Sequence, residues 1–238
     1  MKEKLYTIPV NEAFHTDCEC PVCVMYQALE KEAIEYTMGP SYMEDDIREM
    51  TNKSGFCEKH IKQLYGNQNR LGLALMLSTH IEKMIRDLTP LTKTIPKAPG
   101  LLKKKELKPI TNYIQKAENS CFVCDHVNKT FNRYLATILY LYRTEKDFQT
   151  LFANSKGFCE PHYGKLYEMA GIELSGSTYQ NFIQHLNEVY LNNMKRVLED
   201  INWFIDKFDY RYANEPWKNS KDALPRAIQK LNSVVIED

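Results

Sequence analysis

The sequence lacks an excess of either charge, a long apolar run, and any stretch that alternates in the manner of a half-buried strand. Lysine and arginine total 31 and aspartate and glutamate total 31 in 238 residues, so no global field draws the chain toward nucleic acid or anionic lipid. Nowhere do about 18 apolar residues follow one another, and the opening MKEKLYTIPVNEAF has no apolar core of secretory-leader length. A cytoplasmic chain is expected, without membrane or nucleic-acid partners. With no alternating runs, the expected class is all-α. A Gly-rich phosphate loop, a Gly-x-Ser-x-Gly elbow and a His-Glu-x-x-His helix are all missing, so no local motif nominates a catalytic or cofactor-binding residue.

Apolar residues make up 43% of the chain, enough to bury real cores, and the length allows one large domain or two small ones. Seven cysteines in a reducing compartment point to metal or thiol chemistry rather than a disulfide framework. Six of them fall into a repeat. Cys20-Pro21-Val22-Cys23 is followed by Gly55-Phe56-Cys57-Glu58-Lys59-His60, and Cys121-Phe122-Val123-Cys124 by Gly157-Phe158-Cys159-Glu160-Pro161-His162. Cys20/Cys121 and Cys23/Cys124 are 101 residues apart, and Cys57/Cys159 and His60/His162 are 102 apart. Such register implies duplication of one unit.

The spacing carries a definite chemistry. Cys-x2-Cys lets two thiolates converge from a tight turn, and Cys-x2-His on a helix puts its ligands at i and i+3 on one face. Read half by half, Cys20, Cys23, Cys57 and His60 hold one ion, and Cys121, Cys124, Cys159 and His162 hold another. Three thiolates and one imidazole suit tetrahedral Zn²⁺ and leave no open position, so two structural zinc ions per chain are expected. An iron–sulfur cluster is the alternative that thiolate-rich sites leave open. Six thiolates and two Zn²⁺ bring the formal balance to −2, further from a nucleic-acid binder. Gly55 and Gly157 are expected to supply a backbone conformation that other residues resist, with Phe56 and Phe158 packing beside the sites.

Helical periodicity runs through Val22, Met25, Tyr26, Leu29, Ala33 and Tyr36, stopping at Gly39-Pro40. Ser41 and Glu44 are placed for a capping box on a short helix carrying Ile47 and Met50. A third helix starts near Cys57 and a fourth carries Leu71, Leu75, Ser78, Ile81 and Ile85 toward Pro90. The second half repeats this order over Phe122 to Tyr142, Glu145 to Ala153, Cys159 to Met169 and Thr178 to Phe208. The expected organisation is a first zinc repeat over 1–89, a Pro/Lys-rich connector over 90–110, a second repeat over 111–208, and an extension over 209–238. That extension, dense in Tyr, Arg and Trp from Asp209 to Trp217, leads into a short helix near Leu224 to Leu231.

Other polar features read as structural. Cys18 has no counterpart in the second half and is expected to be incidental, the alternatives being a ligand in place of His60 or a redox-active spare. His126 is an alternative ligand to His162 that helix geometry disfavours, and His15, His80 and His185 lack a partner at motif spacing. Glu44, Asp45 and Asp46 form a solvated first helical turn, and Lys103 to Lys105 a solvated linker.

With these ligands in register, the chain resembles an uncharacterised bacterial domain-of-unknown-function family. The resemblance extends to Tyr6 to Ala13 near the start and Ser220 to Ala227 near the end. It implies no activity. The reading that follows is a zinc-stabilised helical scaffold or protein-interaction module, its partner docking on the C-terminal aromatic strap or between the halves, with self-association left open. A thiol-redox switch or zinc-linked chaperone is the alternative, and an enzyme with a pocket outside any local motif is a third.

Overall fold

The structure, a computed structural model, describes residues 3–93 and 109–236. Most of the expected connector, with Lys103 to Lys105, lies outside the described residues. Among those described there is no strand; the chain is all-α, with helices α1 Thr7–His15, α2 Pro21–Met38, α3 Asp45–Ser54, α4 Glu58–Gly66, α5 Arg70–Thr92, α6 Pro109–Glu118, α7 Phe122–Thr144, α8 Lys146–Asn154, α9 Glu160–Glu173, α10 Gly176–Asp206 and α11 Ala223–Asn232. No helix among the described residues is long and apolar enough to cross a membrane.

Three local readings change. The Ser41/Glu44 capping box does not form: Glu44 is itself the N-cap of α3, and the Ser41 hydroxyl donates back to the Tyr36 carbonyl. In α5 the stripe Leu71, Ile81, Ile85 is exposed, and Gly72, Leu73 and Met76 are the buried residues, because α3 packs on that side. The helix also continues through Pro90 to Thr92, and Pro109 starts α6 rather than ending a linker.

The chain divides into two compact units, one formed by Met1–Ala28 with Thr130–Asp238 and the other by Leu29–Lys129. Neither coincides with a half of the duplicated sequence. The first has an aromatic core: Phe14 packs on Phe148 with ring centres 4.9 Å apart, Phe152 on Phe158 at 5.2 Å, and Tyr142 edge-on to Phe182 at 4.9 Å. All of these phenylalanines are buried, and α9, α10 and α11 pack together in this unit. In the second unit Leu29, Ala33 and Ile34 of α2 are buried, with Ile47, Leu64, Leu73, Met76, Val123 and Val127.

Candidate metal centres

Each ligand helix is entered through a sharp backbone turn. Cys57 and Cys159 are extended N-cap residues of α4 and α9, and each lies two residues after a glycine of positive φ, 61° at Gly55 and 80° at Gly157. A Cβ on Gly55 would stand 2.9 Å from the His80 ring, and one on Gly157 3.2 Å from the Val189 carbonyl. Conformation and space both require glycine there. His60 and His162 follow in the first helical turn, on the side of their cysteines. Cys20 and Cys121 immediately precede α2 and α7, and their sulfurs accept first-turn amides, from Cys23 at 3.4 Å and from Cys124 at 3.5 Å. Those N–H groups favour thiolate.

The eight residues meet in two groups, but the grouping is exchanged. Cys20, Cys23, Cys159 and His162 form one, and Cys57, His60, Cys121 and Cys124 the other, with the four donor atoms of each within 4.8 Å of one another. The expectation that each half of the sequence surrounds its own ion is corrected: the Cys-x2-Cys turn of one half meets the Gly-Phe-Cys-x2-His turn of the other. Backbone pairing explains the exchange. In the second unit the Phe122 amide donates to the Gly55 carbonyl at 3.0 Å and Ser120 Oγ to the Ser54 carbonyl at 2.7 Å. At the matching place in the first unit, Lys230 Nζ donates to the carbonyls of Glu19 at 2.6 Å and Lys156 at 2.5 Å.

The donor geometry fits one four-coordinate ion per group. With bonds of about 2.3 Å to sulfur and about 2.0–2.1 Å to nitrogen, a tetrahedron has S···S edges of about 3.8 Å and S···N edges of about 3.5 Å. In the first group Cys159 Sγ lies 3.8 Å from Cys20 Sγ and 3.6 Å from Cys23 Sγ, and His162 Nδ1 is 3.6, 3.4 and 3.0 Å from the sulfurs of Cys20, Cys23 and Cys159. In the second, Cys57 and Cys124 sulfurs are 3.8 Å apart, and His60 Nδ1 is 3.2, 3.3 and 3.3 Å from Cys57, Cys121 and Cys124. These separations are far beyond the ~2.05 Å of a disulfide, and all seven cysteines are free. An iron–sulfur cluster would spread its ligands over several irons, and so over more than one such tetrahedron.

Charge is concentrated on one sulfur in each group. Hydrogen bonds from the Cys20 and Cys23 thiols, with His162 beside them, pull Cys159 far below the usual thiol range. The same contact drives Cys23 up to about 12, and burial drives Cys20 up as well. In the second group burial opposes ionisation of Cys121, but hydrogen bonds from His60 and the Cys124 amide lower its pKa to about 6; burial and the Cys121 charge push Cys124 up to about 12. Burial alone would depress His60, yet Cys121 and Glu30 raise it to about 10. A central dication is the charge that lets every sulfur of such a set ionise together.

Glu30 of α2 orients the second group. Its Oε1 stands 3.0 Å from His60 Nε2, which leaves Nδ1 for the centre, and Lys59 and Gln63 also donate to the carboxylate. Despite burial, those donors hold the Glu30 pKa down to about 2. The first group is covered instead by α11 and its cap: Ser233 Oγ lies 3.0 Å from Cys159 Sγ, and Lys230 is wholly buried and also pairs with Glu19 at 3.2 Å. The two groups therefore differ in access. All four residues of the first are buried, whereas Cys57 and Cys124 of the second are only half-buried. Sequence reading missed Glu30, Lys230 and Ser233, which stand at no motif spacing from the ligands; the only signal was a carboxylate on the apolar face of α2, where Leu29, Ala33 and Ile34 are also buried.

The remaining histidines and Cys18 are outside both groups. His126 is exposed and stacks on Tyr36 at 5.3 Å; His80 Nδ1 lies 2.8 Å from the Asn52 carbonyl, His185 Nδ1 2.8 Å from the Tyr142 hydroxyl, and His15 Nδ1 2.7 Å from the Asn11 carbonyl. Burial raises the Cys18 thiol above its usual pKa, away from reactivity. Phe158 is fully buried in the aromatic core and Phe56 half-buried.

Fold and donor sets define an all-helical protein with two Cys3His candidate metal sites. Over residues 1–238 the chain matches the family of unknown function DUF6062, and it belongs to that family. No curated protein and no solved structure matches it.

Proposed function

We propose that the protein is a zinc-stabilised helical scaffold that presents a surface to a protein partner. The observation that carries the zinc assignment is the closure of both donor groups: three sulfurs and one imidazole nitrogen at the four corners of a single tetrahedron, which leaves no position for water or substrate. Zinc bound this way contributes folding free energy directly. The partner surface is the strap that follows α10. Phe208 is 77% and Tyr210 87% exposed, while Lys207 Nζ ties down the strap backbone through the carbonyls of Tyr212 at 2.6 Å and Ala213 at 2.9 Å. Exposed rings on a fixed backbone bind with little ordering penalty. Metal analysis and an absorbance spectrum of native protein test the core of this reading: two zinc and no colour are expected, and a brown protein with iron and sulfide would overturn it. Replacing Phe208 and Tyr210 by serine should leave thermal stability unchanged and remove any partner that co-purifies with the wild-type chain.

The half-buried edge of the second group favours a thiol switch as the other reading. Cys57 and Cys124 sulfurs 3.8 Å apart could be oxidised by peroxide to one disulfide, giving up two electrons and releasing the ion. Retention of both ions and an unchanged fold under modest peroxide would support the scaffold and exclude the switch.

A further inference from the structure

A cavity of about 740 Å³ opens along α7, and none of its lining residues belongs to either donor group. It lies within the compact unit that joins the two ends of the chain. Its size falls in the range of small-molecule sites. Its apolar surface comes chiefly from Leu5, which is 73% exposed, and from half-buried Ala136, with the buried Leu139 and Leu174 behind them. Along the same wall stand Arg133 and Arg143, ten residues or about 15 Å apart on the helix axis.

Neither guanidinium has an ion pair among the described residues, although carboxylates partner arginines elsewhere in this unit, at Glu19 and Asp200. Arg133 is nevertheless oriented. One of its N–H groups donates to the Tyr6 hydroxyl at 2.6 Å, leaving four of five donors for a ligand. Arg143 lies over the Tyr140 ring at 5.9 Å. The cavity thus combines an apolar body with two arginines that have no ion pair among the described residues, one of them held in place. Glu173, the acidic lining residue among those described, would repel a dianionic phosphate more than a singly charged head.

We propose that this cavity binds an aliphatic carboxylate, a fatty acid in chemical class, with its head docked bidentately on Arg133 and its chain covering Leu5 and Ala136. The planar fork of arginine matches a carboxylate, and the apolar wall gains from being covered. Arg143 adds to the field without a direct contact.

The test is calorimetric titration of the full chain, as purified, with decanoate below its micelle concentration, beside 1-decanol, decyl phosphate and acetate. Decanoate should saturate at one per chain, bind about tenfold or more tightly than 1-decanol, and outcompete decyl phosphate, with acetate giving no signal. Arg133→Gln, at an exposed position, should weaken decanoate about tenfold, and Arg143→Gln only a few-fold. Ala136→Phe should narrow the cavity beside Arg133 and weaken decanoate binding; if that variant fails to fold, Arg133→Gln decides the question. No binding of decanoate, equal binding of the alcohol, tighter binding of the phosphate, or an unchanged affinity in Arg133→Gln would each overturn the proposal.

Discussion

At the scale of single residues, the two donor groups depend on side chains that are not donors. The Glu30 carboxylate fixes which nitrogen of His60 faces the sulfurs, and partners of this kind typically change metal affinity by about 10–100-fold. Glu30→Ala should therefore weaken zinc at the Cys57/His60/Cys121/Cys124 group by that factor in a chelator competition, and leave the other group unaffected. The glycines give a paired prediction. Gly157, at φ 80° against Val189 and Asn193, should cost about 1–3 kcal/mol as alanine, read by thermal unfolding. Gly164 lies inside α9 with nothing near its missing Cβ, so Gly164→Ala should stabilise by about 0.5–1 kcal/mol. Sequence alone marked the eight donors and the two strained glycines, because each stands at a fixed spacing from its neighbours. For Glu30 it offered only an acid on the apolar face of α2, and for Lys230 nothing, since a lysine in α11 reads as an ordinary solvated charge until the helices pack.

At the scale of elements, helix existence was legible and helix facing was less so. Periodicity placed α2, α4, α7, α9 and α10 within a few residues, yet in α5 leucine and isoleucine occur on more than one face, and only the packing of α3 selects Leu73 and Met76 over Leu71 and Ile81. The short α11 has no counterpart in the first half, and its position over the Cys20 group gives it a definite role. Lys230 joins the Glu19 and Lys156 carbonyls there, the task that Ser120 and Phe122 perform in the other unit. Lys230→Met should strand two buried carbonyls, leaving the Glu19 carboxylate to Arg196 alone, and cost about 3 kcal/mol by chemical denaturation. It should also speed zinc loss from the Cys20/Cys23/Cys159/His162 group, which, being buried throughout, should in the wild type be the slower of the two to yield to a chelator.

At the scale of the whole molecule, the duplicated sequence does not fold as two successive modules. The first group closes a chain segment of 136 residues between Cys23 and Cys159, and the second one of 61 between His60 and Cys121. Clips over long segments remove much freedom from the unfolded chain, so metal binding and folding should be strongly coupled. The exchange was illegible in the sequence for a physical reason. Both halves offer the same donors at the same spacing, so either pairing satisfies the chemistry of one ion, and the choice is made by the Gly55–Phe122 and Lys230 contacts between segments far apart in the chain.

The exchanged pairing is tested most directly by counting zinc in two double variants. Cys20→Ser with Cys159→Ser damages a single group and should leave one zinc per chain, whereas Cys20→Ser with Cys57→Ser damages both and should leave none. The reverse outcome, no zinc in the first variant and one in the second, would mean that each half of the sequence holds its own ion and would contradict the account.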